Sequence, residues 1–567
     1  SPVIHNCGQL QAIQDNPSGD YSLANDIDCS DTIGWNDGYG FNPIQDFTGS
    51  LNGNNHTITG LFIDSHGSGE GDETGIFAIL GDGAEVSNLN FNLAHIAGYE
   101  DVGTLAGGIE DGSSVDIYRV TATNSTVFGR YNVGGLVGYT DTGGGDSTSV
   151  TESSFGGSVN SVDTDEYSDE LGGLIGSVDV WGNGEFTLAD NTTTANIITG
   201  ANGYQVGGMV GQFDAYDNPN LSLQNLTSSS VVQGSGGVGG LFGSIEVGQE
   251  TGLTSNYSLV NSHATGNVTG NYNVGGLLGS LEAYDGNQFS LRGTFASGDV
   301  VQWEENGGGD SFGGLVGYME GDDYGAAIRQ SYATGEVNAP SSYGVGGLVG
   351  MQDDASMVVN SYATGDVYGS SQIGGLIGVA SGIVQNTYAS GTVTSDLGPY
   401  ESRIGGLIGG FYGSGIVANN FSAGQVIAPE TEYSAGAVIG YYYNYDGNST
   451  KIVNNYYDRD INWQSNCAVV ESDEGGMSAN NQSGQCQAVN SEGSDPNHFT
   501  ANSTSTPLNS WNFTDTWQVT SGLPTLQAYN GHVSPDTVAN LQATGNRDNL
   551  HLSWDAPANT GGSPIIG

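Results

Sequence analysis

The sequence predicts an all-β fold, a parallel β-helix of about twelve coils, and three observations predict it. First, one phrase recurs along the chain. It reads VGGLVG from Val133, LGGLIG from Leu171, VGGMVG from Val206, VGGLFG from Val238 and VGGLLG from Val274. FGGLVG follows from Phe312, VGGLVG from Val345, and IGGLIG from both Ile373 and Ile404, with looser copies from Thr74, Val102 and Ala435. Eleven steps separate Ala78 from Gly440 and average about 33 residues, a spacing that belongs to solenoids and arrays. Second, the apolar residues fall in runs of about four to six, the size of strands and too short for helices. Third, another phrase follows each motif: NSHATGNV from Asn261, QSYATGEV from Gln330, NSYATGDV from Asn360, NTYASGTV from Asn386 and NNFSAGQV from Asn419. Each unit thus holds a strand at the Gly motif, a variable loop, a second strand and a short return, which is one coil of a β-helix.

Coil-on-coil stacking gives each repeated position a job. Strands of successive coils pair about 4.8 Å apart, so equivalent residues form rows. Leu136, Leu174, Met209, Leu241, Leu277, Leu315, Leu348, Leu376 and Leu407 are expected to form one interior row. The paired glycines beside them let backbone bend or approach closely. Asn261, Asn360, Asn386 and Asn419 read either as an Asn ladder or as turn formers. His263, Phe295, Tyr332, Tyr362, Tyr388 and Phe421 form an aromatic row, read as stacking or as a sugar-binding strip.

The repeats run from 74 to 460 and are flanked by segments without the phrase. Residues 1–73 are expected to cap the first coil, because an open β-helix end exposes unpaired strand edges. Residues 461–532 are expected to cap the other end, with WNFTDTW from Trp511 and GLPTL from Gly522 as its plug. The four cysteines lie two at each end of the array, and only Cys7 with Cys29 and Cys467 with Cys486 avoid spanning it. Two local disulfides imply an oxidising compartment.

From Val533 to Gly567 the chain alternates apolar and polar residues around Trp554. This stretch resembles the opening of a fibronectin type III domain and covers about a third of such a β-sandwich. The recurring GGLVG phrase resembles the GLUG motif of large prokaryotic surface and secreted proteins. The stretch from Tyr21 to Asp28, the run from Phe47 to Ile58, and Trp511, Trp517 and Leu523 to Leu526 are similar to the usual start and end of that family. The resemblance implies a right-handed, pectin-lyase-like β-helix, roles in adhesion or cell-surface architecture, and no catalytic residues.

Charge narrows the partners. There are 62 Asp and Glu against 8 Lys and Arg, a net charge of −54. Such a surface repels nucleic acid and anionic membranes, attracts cations and tolerates salt. No run approaches the roughly 18 apolar residues of a membrane span. The expected location is extracellular or at the cell surface.

Catalysis has little footing in the sequence. The eight His are scattered, and no nucleophile elbow or phosphate loop is present. Asp322 with Asp323 and Asp353 with Asp354 are sequence neighbours, whose side chains point apart on a strand. One further pattern stands out. An acid recurs three residues after each motif in eight successive units: Glu110, Asp141, Asp179, Asp214, Glu246, Glu282, Glu320 and Asp353. Coils in register would align these carboxylates in a column that either splays into solvent or takes cations, calcium first among them. The column is expected on the outer face and never both buried and bare. The function expected is that of a non-enzymatic extracellular scaffold or adhesin. It would be a stiff spacer binding cell-surface or matrix ligands, glycans among them, or other copies as filaments. A carbohydrate-binding module is the alternative, followed by a polysaccharide-active hydrolase or lyase.

Overall fold

The computed structural model describes residues 2–555 except for 66–72, 162–166, 249–253, 304–307, 323–324, 354–355, 396–401, 414, 429–434, 445–450, 465–466, 473–475, 481–485, 490–507, 519, 521, 528–538 and 547–548. Two units are distinguished, Ser1–Leu526 and Gln527–Gly567. The first is a parallel β-solenoid. Each Gly motif leads into a strand, such as Val137–Thr142, Ile175–Trp181, Val210–Tyr216, Phe242–Gly248, Leu278–Ala283 and Val316–Gly321. These join in one 14-stranded sheet, here called the motif sheet. Its neighbours pair in parallel, apart from Gly476–Asn480, which adds antiparallel to Ala468–Ser472. The remaining strands of each coil pair likewise with the coils before and after, as Tyr332–Ala333 does with Tyr362–Ala363.

The interior follows from the period-two alternation of each strand. All nine members of the Leu row, from Leu136 to Leu407, are fully buried. Backbone bonds tie the row together: Leu136 N–H donates to Leu174 C=O at 2.9 Å, and Leu315 N–H to Leu348 C=O at 2.8 Å. The glycines beside the row are sterically required. A Cβ on Gly314 would lie 2.1 Å from the carbonyl oxygen of Gly347 in the next coil.

Both readings hold for Asn360, Asn386 and Asn419, whereas Asn261 is placed only by its φ of 49°. Asn360, Asn386, Asn419 and Asn454 all have φ between 51° and 58°, the left-handed region in which Asn is enriched. Their side chains also form a ladder. Asn386 Nδ2 donates to Asn360 Oδ1 at 3.0 Å, Asn419 to Asn386 at 3.3 Å and Asn454 to Asn419 at 3.2 Å.

Strands within residues 1–73 also join the sheets. Val3–Ile4, Asp20–Leu23, Ser50–Asn52 and Glu85–Asn92 pair in parallel, so the segment supplies strands to the solenoid although it lacks the motif. The short helix Cys7–Gln11, capped by Asn6 Oδ1 accepting from Gln9 N–H at 3.0 Å, buries Leu10 in the core. Cys7 is bonded to Cys29 and Cys467 to Cys486, with Cα separations of 5.3 and 6.1 Å. At the other end, Trp511 and Trp517 stack on each other at 4.3 Å. They cover the aromatic row, with Trp511 5.5 Å from Tyr456 and Trp517 5.8 Å from Phe421. The expected plug therefore lies on the flank of three coils.

In the second unit, Ala539–Asn546 and Asn549–Asp555 pair antiparallel. The rest of the expected fibronectin-like segment lies outside the described residues, as do Asp323 and Asp354.

Candidate functional site

The motif sheet aligns the acids residue on residue. Asp141 pairs with Asp179, Asp179 with Asp214, Asp214 with Glu246, Glu246 with Glu282, and Glu282 with Glu320. Their chain neighbours Thr140, Val178, Phe213, Ile245, Leu281 and Met319 are fully buried, so alternation turns the acids outward. Glu110 and Asp353 extend the column at its two ends and are exposed. Asp353 N–H donates to Met319 C=O at 2.8 Å.

Aromatic residues flank the column and donate to it. Trp181 Nε1 donates to Asp141 Oδ1 at 2.7 Å and Tyr139 Oη to Asp179 Oδ2 at 3.2 Å. Tyr284 Oη donates to Glu282 Oε2 at 2.6 Å and Tyr318 Oη to Glu320 Oε2 at 2.7 Å. Burial raises the hydroxyls of Tyr139, Tyr284 and Tyr318, and the neighbouring carboxylates raise them further. These groups remain protonated donors.

Asp214 departs from the expected pattern. It is only 8 % exposed. One oxygen accepts from Gln212 Nε2, and Oδ1 has no donor. The expectation of a carboxylate splayed into solvent therefore fails at this residue. Burial, then the charge of Asp179, pushes its pKa up to about 7, which favours the protonated form. Burial likewise raises Asp141, Asp179 and Glu282. Glu170, on the strand just before the motif sheet, is pushed up to about 8 by burial and then by Asp169, Asp179 and Asp214.

A cleft of about 310 Å³ opens at this point, between the column and the strands that precede the motifs. Asp214, Glu246 and Glu282 form its acidic wall. Tyr204 and Tyr272 also line it, and the Tyr204 ring stacks on Tyr167 with centroids 5.5 Å apart. Between them the paired position is Gly236, where an added Cβ would lie 2.9 Å from the Tyr204 ring. Ser244 and Ser280 line the cleft at the column position that carries Tyr139 and Tyr318 at either end of the run. Small residues at this register leave room for the cleft. Tyr204, Gly236, Tyr272 and Glu170 were not found by sequence reasoning. The position two residues before each motif reads Tyr131, Asp169, Tyr204, Gly236, Tyr272, Asp310, Tyr343, Ser371 and Ser402, so no one residue type marks it.

The aromatic row forms an unbroken stack. Ring centroids from His263 through Phe295, Tyr332, Tyr362 and Tyr388 to Phe421 are 4.5 to 5.0 Å apart, with planes within 6°. Rings stacked face to face present only edges outward, which suits stabilisation and not sugar stacking. For the cation reading of Asp141, Asp179, Asp214, Glu246, Glu282, Glu320 and Asp353, the geometry is a line and not a shell. Among the described residues no three His, Cys, Asp or Glu side chains gather as a metal site. No helix among the described residues is long and apolar enough to cross a membrane.

Residues 341–368 match the family model of the GLUG motif. The chain is 30 % identical to halomucin of Haloquadratum walsbyi over 512 residues, covering 73 % of this chain and 5 % of halomucin. It is 31 % identical to the immunoglobulin A1 protease of Streptococcus pneumoniae over 174 residues, covering 30 % of this chain and 8 % of that protein. The chain thus spans less than a tenth of either relative. A crystal structure of a proposed immunoglobulin A1 protease from Bacteroides ovatus aligns over 93 % of this chain and 91 % of its own, at 14 % identity and a TM-score of 0.21.

Proposed function

We propose that this GLUG-motif chain is a segment of a surface or secreted protein and serves there as a stiff β-helical scaffold, presenting loops to cells, matrix or other copies. One observation carries the reading: the fully buried Leu row runs from Leu136 to Leu407 without interruption, so the coils share a single core. Two disulfides and a net charge of −54 suit an oxidising exterior and a surface kept apart from anionic neighbours. The likeness to halomucin and to an immunoglobulin A1 protease supports the same location. Force spectroscopy on the chain, held at both ends of the solenoid, tests the reading. A rigid element that resists extension until coils peel off singly supports it. A compliant element that lengthens smoothly at low force refutes it. Incubation of the fluorescent chain with cells and extracted matrix tests the adhesive part, with saturable retention as the supporting result.

A second reading, a polysaccharide-active enzyme, is favoured by carboxylates with raised pKa values in a cleft. The geometry weighs against it. Glycoside hydrolysis needs carboxylates flanking the scissile bond, whereas Asp214, Glu246 and Glu282 stand side by side on one face of one sheet. Turnover of a polysaccharide that Asp214→Asn abolishes would establish the enzyme and displace the non-catalytic reading.

A further inference from the structure

We propose that one outer face of the solenoid, from Ser258 to Val453, docks a second copy of this chain, and that the loop around Ile33 of that copy seats on it. The inference deepens the scaffold reading by naming the contact between copies. A chain that never associates can still pass the force test, so the two fail separately.

The face is made by the strand that follows the motif sheet in each coil. Val358, Val384 and Val417 are fully buried, so the residues on either side of each turn outward. One outward row begins at Glu85 and Asp116 and ends at Met357, Ile383, Ile416 and Lys451. The row beside it carries Arg292, Arg329 and Val359. From Ser258 to Val453 neither row holds an acid, although the chain has 62 Asp and Glu against 8 Lys and Arg. Met357, Val359, Ile383 and Ile416 remain partly exposed. Six coil steps of about 4.8 Å make the face about 29 Å long.

Its charge is unanswered by the fold. Arg329 pairs in register with Arg292, and its Nη2 donates to Met357 Sδ at 2.9 Å, a weak acceptor. Burial, then the charge of Arg292, lowers the Arg329 pKa. Among the described residues neither Arg329 nor Lys451 makes an ion pair. Carboxylates brought by a partner would supply one. The adjoining aromatic row already takes an apolar segment of the chain, with Trp517 on Phe421 and Trp511 on Tyr456.

The chain carries the complement. The turns Ser30–Gly34 and Asn36–Gly38 form a loop that stands clear of the body, since a Cβ on Gly34 or Gly38 would meet nothing within 4 Å. Ile33 is 62 % exposed and Tyr39 46 %, and the exposed Asp31 and Asp37 accompany them. Apolar side chains then meet the apolar rows, and the acids meet the arginines. A sulfated polysaccharide would answer the arginines but set polar groups against Met357, Ile383 and Ile416, which favours a polypeptide. The contact joins two different surfaces, so each bound copy keeps a free loop or a free face and assembly stays open-ended. A loop this small covers less than the roughly 800 Å² per partner of a stable pair, so the contact is weak and reversible.

Sedimentation velocity on the full chain over rising concentration tests the proposal. Salt at about 0.15 M, with a Debye length of about 8 Å, screens distant charges and spares close pairs. The expected result is a reversible ladder of dimers and larger species. Arg292→Glu with Arg329→Glu should weaken association about tenfold or more, and so should Asp31→Lys with Asp37→Lys. Mixing these two variants should restore it, because the unchanged loop of one meets the unchanged face of the other. Ile33→Ser, at an exposed tip where folding is not at stake, should weaken association as well. Three results overturn the proposal: a chain that stays monomeric at every concentration, association that none of these substitutions weakens, or a mixture that stays apart. Binding of dextran sulfate by a monomeric chain, abolished by Arg292→Glu with Arg329→Glu, would also overturn it and give the face to an anionic polysaccharide.

Discussion

Asp214 and Glu246 occupy one register on adjacent strands of the motif sheet, with their carboxylates turned to the same side and Phe213 and Ile245 buried behind them. Like charges about 5 Å apart repel, and partial burial strengthens the repulsion. The fold supplies Tyr or Trp donors to Asp141, Asp179, Glu282 and Glu320, but Asp214 accepts from Gln212. This imbalance has a measurable consequence in pH.

Asp214 and Glu170 have folded-state values raised to about 7 and about 8, against about 4 in an unfolded chain. The folded chain thus binds these protons more tightly. The stability they contribute is fully present below about pH 4 and is lost as pH rises through about 7 and 8. At low salt the denaturant midpoint should fall between pH 5 and pH 9, and Asp214→Asn should flatten that slope. Added salt should also reduce it by screening the column. A midpoint that rises over this range would contradict the assignment.

The Tyr362 ring lies 4.9 Å from Tyr332 and 4.7 Å from Tyr388, nearly parallel to both. Each such contact is worth about 0.5–1.5 kcal/mol beyond area burial. Tyr362→Ala should cost about 1–3 kcal/mol in urea unfolding, and Tyr362→Phe much less. Equal losses for both variants would show that the hydroxyl matters and the stack does not.

Gly314 faces the backbone of Gly347, whereas a Cβ on Gly34 would meet nothing within 4 Å. Gly314→Ala should destabilise by about 2 kcal/mol or more, because backbone must move. Gly34→Ala should be near neutral. Comparable melting temperatures for the two variants would refute the close-packing account of the motif.

The bond between Cys7 and Cys29 closes a loop with a sequence separation of 22, and that between Cys467 and Cys486 one of 19. Replacing either pair by alanine should cost about 3 kcal/mol in the chain-entropy model. Non-reducing peptide mapping checks the pairing directly, and a Cys7–Cys486 peptide would overturn it.

The repeats made most of the fold legible. Once VGGLVG and its copies fix the coil, Leu136 to Leu407 must align, and the acids three residues after each motif must align with them. The cleft was less legible because no residue pattern marks it. Ser244 and Ser280 share a register that reads Tyr139, Ser177, Gln212 and Tyr318 in other coils, and Gly236 falls between Tyr204 and Tyr272, so the gap appears only after the coils are stacked. The burial of Asp214 was hidden for the same reason, since its surroundings come from neighbouring coils and not from its own segment. The pairing of strands within residues 1–73 was not legible because those strands carry no Gly motif. Residues such as Tyr21 and Leu51 pair through strand pattern only.

The central claim is an unbroken, in-register stack, and distances between spin labels test it most directly. Asp116, Ser149, Thr187, Ser222, Ser258 and Ser290 share one register across successive coils. The four cysteines are all in disulfides, so labels on introduced cysteines stay distinct. Labels at Asp116 and Ser290, five coil steps apart, should give one narrow distance near 24 Å, shortening by about 4.8 Å when the second label moves to Ser258. A broad distribution, or a distance that does not change by one coil spacing with that move, would contradict the stack.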